Sequence, residues 1–399
     1  MKRITAVPLL VLALCCALTP LSYVLAQDSV PPSPTQSPSP SPAQSAAVEA
    51  GAQNAAHAAY PEFRFVSTTK VSTMEKELNE LAAEGFRLER VSKSLMDDNL
   101  AALVVREATA GGTRYEYRLV ATRRVGTMEK EILEAAAQGY ELRGLTPMFR
   151  PGLGMLIGDE TTAVMERPVG ESKPRFEYRL LSTRREKTMQ KELDEAVAAG
   201  YMPVEMVRGQ DNGAASLLLG PQFVNTIILA RPVGAAVSTG TTREYRFLTT
   251  TKVGTMEREM NQAARQGFRF HMSAPDLLML MSRERGAEGP ARFEYKLLAT
   301  RRTGTMQKEL LEQVGLGYRY LATSNGLGGL TTVLERDLAA EAKGERREIK
   351  LLATTREKTT RREIVEALAE GYRILDLTTI GEFIVVLERK GTSANAQAN

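Results

Sequence analysis

The sequence predicts an α+β protein made of six tandem strand–helix–strand–strand units. Each unit is a small antiparallel or mixed sheet with one helix, and the units pack as an array, with pairs of units as one arrangement. Three observations predict this class. Six segments recur in ungapped register; each passes from a period of two to a helical period; and each ends that helical stretch with a glycine followed by an aromatic residue.

The first element is a strand. Its six copies are Glu62-Phe63-Arg64-Phe65, Glu116-Tyr117-Arg118-Leu119, Glu177-Tyr178-Arg179-Leu180, Glu244-Tyr245-Arg246-Phe247, Glu294-Tyr295-Lys296-Leu297 and Glu348-Ile349-Lys350-Leu351. Charged and apolar residues alternate, which is the pattern of a strand with one buried face. Taking the second residue of each as anchor, Met74, Met128, Met189, Met256, Met306 and Thr360 stand eleven positions on. Before them come Thr73, Thr127, Thr188, Thr255, Thr305 and Thr359, which are predicted as helix N-caps.

A helix of about three turns follows. In the first copy Met74, Leu78, Leu81 and Ala82 form one apolar stripe. Gly85, Gly139, Gly200, Gly267, Gly317 and Gly371 suit the left-handed position that ends a helix. The aromatic after each glycine is predicted to open a second strand. A third closes each unit: Ala102–Arg106, Ala163–Arg167, Thr226–Arg231, Leu278–Arg283, Thr332–Arg336 and Ile384–Arg389. The unit bounds are 60–107, 114–167, 175–231, 243–283, 291–336 and 346–389. The connection between strands two and three varies most. It is long in copy two (Pro147–Glu160) and copy three (Gly209–Pro221). A three-stranded sheet with one helix is too small to stand alone, so neighbouring units are expected to pack together.

Two segments precede the repeats. Lys2-Arg3, the apolar run after them and the small residues Val24 and Ala26 predict a signal peptide over 1–26, cut before Gln27. The run is also long enough for an uncleaved membrane anchor. Cys15-Cys16 raises lipidation, against which Leu14 stands where a small residue is wanted. Residues 27–59, rich in Pro, Ser and Ala, read as an extended disordered linker, and 390–399 as a disordered tail. The expected location is therefore periplasmic or extracellular, with no membrane span once the leader is removed.

The repeats resemble the bacterial domain-of-unknown-function 4177 family, with its Glu-Tyr-Lys strand, Leu-Asn helix and Glu-Gly-Trp ending. Leu78-Asn79-Glu80-Leu81-Ala82-Ala83-Glu84-Gly85-Phe86 is the best local match, and Gln138-Gly139-Tyr140-Glu141-Leu142 a second. This chain departs from the family in using Phe or Tyr where it prefers Trp. The resemblance implies a fold and no mechanism.

Composition narrows the chemistry. Both cysteines lie in the leader, and the two histidines are His57, in the linker, and His271. A cysteine-based metal site and most histidine-dependent catalysis are thereby disfavoured. The formal net charge of +4 falls to about +2 without the leader, so no nucleic-acid partner is indicated. Glu77, Glu131, Glu192, Glu259, Glu309 and Glu363 recur fourteen positions after the anchor. They are read as carboxylates in a first helical turn, favoured by the helix dipole, and not as catalytic groups. The recurring Met residues and the His271-Met272, Met279-Leu280-Met281 pair of segments are read as core. No catalytic residue, metal ligand or cofactor is assigned.

The candidate contacts are the Arg pairs between strand one and the helix: Arg123-Arg124, Arg184-Arg185 and Arg301-Arg302. Lys70, Lys252 and Arg356 hold the same place in other copies. Arg beside a helix N-terminus suits an anion. The expected function is that of an exported, non-catalytic binding or scaffolding protein of the bacterial cell envelope. Its partner would be an envelope protein or an anionic polymer, met through the basic turns and the long hairpins of copies two and three. The alternatives are an enzyme with a Glu/Arg site formed between repeats and a purely structural spacer.

Overall fold

The structure is a computed structural model describing residues 62–93, 99–106, 112–122, 125–148, 160–211, 222–235, 243–274, 277–286, 292–326, 329–339 and 347–391. The leader, the linker, the tail beyond 391, Arg123-Arg124 and most of the two long hairpin tips lie outside these residues.

Unit one comprises β1 (Glu62–Thr68), α1 (Val71–Ala83), β2 (Arg87–Lys93) and β3 (Leu100–Arg106). Unit two has β4 (Tyr115–Thr122), α2 (Val125–Ala137), β5 (Glu141–Met148) and β6 (Glu160–Pro168). Unit three has β7 (Phe176–Thr183), α3 (Glu186–Ala198), β8 (Met202–Asp211) and β9 (Gln222–Pro232). Unit four has β10 (Arg243–Thr249), α4 (Val253–Ala264), β11 (Arg269–Ala274) and β12 (Leu278–Glu284). Unit five has β13 (Phe293–Thr300), α5 (Thr303–Gly315), β14 (Arg319–Gly326) and β15 (Gly329–Asp337). Unit six has β16 (Arg347–Thr354), α6 (Glu357–Ala369), β17 (Arg373–Thr379) and β18 (Phe383–Lys390).

In every unit the third strand lies between the first and second, antiparallel to both. That middle strand is buried on both faces, which explains its unbroken apolar run, as in Leu100-Ala101-Ala102-Leu103-Val104. The recurring helix Met side chains are likewise buried, with Thr360 in the sixth copy donating to the Arg356 carbonyl.

The units do not pack in isolated pairs. Each helix touches its own first strand and the first strand of the next unit, from α1 on β4 through to α6 on β1. The second strands touch in their own cycle: β2, β5, β8, β11, β14, β17 and back to β2. The array is a closed ring. Its curvature has a simple cause: a helix is wedged between neighbouring sheets at the periphery, while near the axis strand meets strand directly. Phe63 and Phe65 of unit one share an apolar cluster with Ile364, Leu368, Phe383 and Val385 of unit six, sealing the seam.

Ring packing leaves an outer edge strand in every unit, and the preceding helix covers it. One helical position, twelve after the anchor, supplies a side chain to the edge backbone at all six junctions. Glu75 accepts from Leu119 N at 2.6 Å, Glu129 from Leu180 N at 3.4 Å and Glu257 from Leu297 N at 2.9 Å. Gln190 accepts from Phe247 N and donates to Tyr245 O, both at 2.9 Å. Gln307 accepts from Leu351 N at 2.6 Å, and Arg361 donates to Phe65 O at 3.1 Å. Asn79 and Asn261 add a two-way amide bridge to Tyr117 and Tyr295. Each edge thus has part of its backbone hydrogen bonding met by a side chain, under a helix that covers it against strand addition.

Each helix ends as its glycine predicts. Gly85 has φ +92°; its N–H bonds Ala82 O, and Phe86 N–H bonds Leu81 O. The same two bonds recur at the other five ends. The third-strand arginine locks this corner. In unit two Arg167 pairs with Glu116 at 2.6 Å, donates to Gln138 O at 2.7 Å and lies 4.3 Å from the Tyr140 ring centre. Arg106, Arg231, Arg283, Arg336 and Arg389 repeat the arrangement.

The helix starts differ from the sequence expectation. The predicted N-caps Thr73, Thr127, Thr188, Thr255, Thr305 and Thr359 are already in the helix, at its third position. Lys70, Arg185, Lys252, Arg302 and Arg356 are the N-caps. The threonine two residues earlier does the turning: Thr68, Thr183, Thr250, Thr300 and Thr354 accept the N-cap N–H at 3.2–3.4 Å. The recurring Glu, such as Glu77, consequently sits in the second turn and not the first.

Candidate functional site: the basic turns and the axial cavity

First and second strands run parallel, so each ring face collects one kind of connection. The turns from strand one to the helix and the hairpins between strands two and three share one face, the turn face. Helix ends and inter-unit links lie on the other. Glu62, at the start of β1, and Lys390, at the end of β18, are paired neighbours of that second face through Arg106 and Arg347 respectively.

Of the predicted contacts, Arg184, Arg185, Arg301 and Arg302 are exposed on the turn face, and Arg123-Arg124 lie outside the described residues. The described arginines stand in units three and five, so the ring sets them apart instead of gathering them in one pocket. Lys70, Lys252 and Arg356 share their face. None of the five described N-caps carries a side-chain cap bond, and in α4 and α5 the third N–H, of Thr255 and Thr305, turns to the N-cap carbonyl at 3.1 Å. The first turns differ: α3 and α6 hold Glu186 and Glu357, while α1, α4 and α5 hold no acid.

Glu and Arg do meet between repeats. Glu166 takes Arg87 of the preceding unit through bonds of 2.8–3.2 Å and accepts from Tyr117 at 2.8 Å. Glu335 is bound by Arg269 and Tyr295 in the same way. Burial raises the Glu335 carboxyl, opposed by Arg269. These carboxylates are engaged on both oxygens and bind the units together.

The second site was not visible in the repeat motif. Every second strand has a bulge at the same place, at Glu89, Arg143, Val204, His271, Leu321 and Leu375. These six residues and their successors Arg90, Gly144, Glu205, Met272, Ala322 and Asp376 line one axial cavity of about 290 Å³. Where the repeats agree elsewhere, here they diverge: Glu89, Arg143, Val204 and His271 all differ, and only Leu321 and Leu375 coincide among the six. The bulges free carbonyl groups, and neighbouring side chains take them. Arg143 donates to Leu88 O at 2.9 Å, Arg90 to Leu375 O at 3.3 Å, and His271 Nε2 lies 3.4 Å from Pro203 O.

Two fully buried carboxyls occupy equivalent positions in units three and six, opposite one another in the ring. Asp376 accepts from Tyr320 OH at 2.5 Å, Thr323 N at 3.1 Å and Leu377 N at 2.8 Å. Glu205 is bonded by the Met206 and Leu145 backbone, and its Oε2 has no hydrogen-bond partner. Burial pushes the Glu205 carboxyl well above the usual range, and raises that of Asp376. Burial lowers the His271 imidazole to about 4; its ring stands edge-on to Tyr245 at 5.1 Å. His271, read from sequence as part of an apolar hairpin, therefore belongs to the axis. Among the described residues, no group of three or more His, Cys, Asp or Glu could hold a metal ion, and no helix is long and apolar enough to cross a membrane.

No family model, curated protein or solved structure matches the chain.

Proposed function

We propose that this is an exported, non-catalytic binding or scaffolding protein of the bacterial cell envelope, holding an anionic polymer on its turn face. One observation carries the reading. Basic N-caps of uncapped helices recur around a single face, while the described chain begins and ends at the other. A Pro-rich linker attached at that far side would hold the basic face outward. A ring of separated basic turns suits an extended polyanion better than a compact substrate, because charges spread over a face add through multivalency. The inter-unit Glu/Arg groups, being bonded to one another, favour this reading over an enzyme site between repeats.

The test is binding of the exported chain to polyphosphate and to cross-linked envelope extract. It runs beside a variant with Arg123, Arg124, Arg184, Arg185, Arg301 and Arg302 changed to Ala. Salt-sensitive capture by the parent and its loss in the folded variant support the reading. Equal capture by both moves the contact to the hairpins, and absence of capture by either removes the reading.

A further inference from the structure

On the periphery of the ring a groove of about 980 Å³ runs between α3 and α4, above β10. It follows α3 from Glu186 to Glu195, about 14 Å along the helix axis. Its end toward the turn face holds Glu186 of α3 and Glu259 of α4. The opposite end holds Arg243, Arg246, Arg283 and Arg285.

The equivalent place at the seam, between α6 and α1, shows how such charges are neutralised. Glu357 stands where Glu186 does and faces Glu77. Arg361 pairs with Glu357 at 3.1 Å, and Ser67 donates to it at 3.3 Å. Arg64 pairs with Glu62 at 2.5 Å.

Between α3 and α4 both neutralising contacts are missing. Gln190 replaces Arg361 and is bonded to Tyr245 O and Phe247 N. Lys187 follows Glu186 in the chain, but side chains of consecutive helical residues diverge. Among the described residues, Glu186 and Glu259 have no ion pair, and burial and Glu259 raise the Glu186 carboxyl. Glu244, the counterpart of Glu62, is held by Arg283 at 2.8 Å and Arg285 at 3.4 Å. Arg246 is left with the Phe268 ring at 4.8 Å, and burial and Arg283 push its guanidinium down. The remaining acids are engaged: Asp194 accepts from Gln190 at 2.9 Å, and Glu195 pairs with Lys191 at 3.7 Å. Glu186 is exposed, and Glu259 and Arg246 are partly exposed, so all three can be reached from the groove.

A guest must bring a cation to one end and an anion to the other. A free amino acid is too short, a polyamine meets the arginines, and a dicarboxylate meets the glutamates. Between the ends the wall carries Gln262 and Asp194, which suit amides better than an alkyl chain. An extended peptide advances about 3.3–3.6 Å per residue, so about three or four residues span the groove. We infer that the α3–α4 groove binds a peptide of this length, its free amino terminus between Glu186 and Glu259 and its carboxylate at Arg246. The site is separate from the turn-face contacts and does not rest on them.

The experiment is calorimetric titration of the exported chain with tetraalanine. N-acetyl-tetraalanine, tetraalanine amide, the doubly blocked peptide and 8-aminooctanoate are run beside it. The expected result is saturable binding of one tetraalanine per chain at low millimolar concentration or below. Blocking either end should weaken binding about tenfold. Arg246→Gln should weaken tetraalanine about tenfold and leave its amide unchanged. The Glu186→Gln, Glu259→Gln pair should weaken tetraalanine and leave the N-acetyl peptide unchanged. The proposal is overturned if tetraalanine does not bind the folded parent up to tens of millimolar. It is equally overturned if the doubly blocked peptide or 8-aminooctanoate binds as well, or if Arg246→Gln weakens the amide as much as the acid. The blocked peptides probe both ends on the unaltered chain, so the test survives a variant that fails to fold.

Discussion

Arg361 on α6 donates to the carbonyl of Phe65 on β1 at 3.1 Å, across 296 residues of chain. That bond is the sixth instance of a contact made at every other junction by Glu75, Glu129, Gln190, Glu257 and Gln307. It turns a linear array into a ring, and with it come the axial cavity and the division into two faces.

The seam should be the ring's point of greatest sensitivity. Phe65 is fully buried and meets Phe383 edge-to-face at 5.0 Å. Phe65→Ala is expected to cost about 3–5 kcal/mol from lost burial and cavity formation. Arg361→Ala should cost less, about 1 kcal/mol, since it removes one hydrogen bond and no apolar burial. Urea unfolding of both variants checks the ordering.

The helix-end arginine acts by shape as well as charge. Arg283 pairs with Glu244 at 2.8 Å, donates to Gln266 O at 2.7 Å and stacks 4.6 Å from Phe268. Arg283→Lys keeps the charge but cannot do all three, so it should lose about 1 kcal/mol, much of the loss seen for Arg283→Ala. Thermal unfolding of the two variants measures the difference.

Two glycines with the same φ should respond differently. Gly139 and Gly200 both have φ +87°. A methyl group on Gly139 would meet the Ser172 backbone at 3.1 Å, whereas on Gly200 it meets only the Arg231 Cδ, at 3.4 Å. Both Ala variants incur the left-handed penalty of about 1–2 kcal/mol. Gly139→Ala should exceed Gly200→Ala, as equilibrium unfolding of the pair will show.

The axial groups give stability a pH dependence of two opposite signs. His271 has its folded value near 4, below the ordinary 6.5, so the unfolded chain binds the proton first. Its contribution is full above about pH 6.5 and is lost as pH falls toward 4, by up to roughly 3 kcal/mol. Glu205, raised by burial, contributes in the other direction: stability declines as pH rises through 4.5 toward its folded value. His271→Gln should flatten the acid limb, and Glu205→Gln should stabilise the ring at pH 7. Urea midpoints between pH 4 and 8 resolve both.

What could be read from the chain depended on how local its cause was. The Gly85-Phe86 pair ends α1 through bonds within six residues, so its meaning lies in the motif itself. The Met74 stripe and the Tyr117 strand are likewise local periodicities. Thr73 misled because Thr and Ser both cap helices; Val71 and Ser72 had already entered the helix, turned by Thr68. Arg361 and Phe65 have no shared local signature, so closure was not legible. The axial site left a faint signal. Twenty-six and twenty-seven positions after each anchor the copies cease to agree, at Glu89-Arg90, Arg143-Gly144, Val204-Glu205, His271-Met272, Leu321-Ala322 and Leu375-Asp376. Disagreement becomes informative only once the bulges turn those positions toward one axis.

Ring closure is tested most directly by joining its ends. Ser67 Oγ and Glu357 Oε2 lie 3.3 Å apart across the seam, and the chain has no cysteine outside Cys15-Cys16. The measurement is cross-linking of a Ser67→Cys, Glu357→Cys chain, with Cys15 and Cys16 changed to Ser, by a short bifunctional thiol reagent at low protein concentration. A closed ring gives rapid intramolecular cross-linking of the native monomer, abolished by denaturant. An open array leaves both thiols free or joins separate chains, and that result would contradict the ring, its single axial cavity and its two faces together.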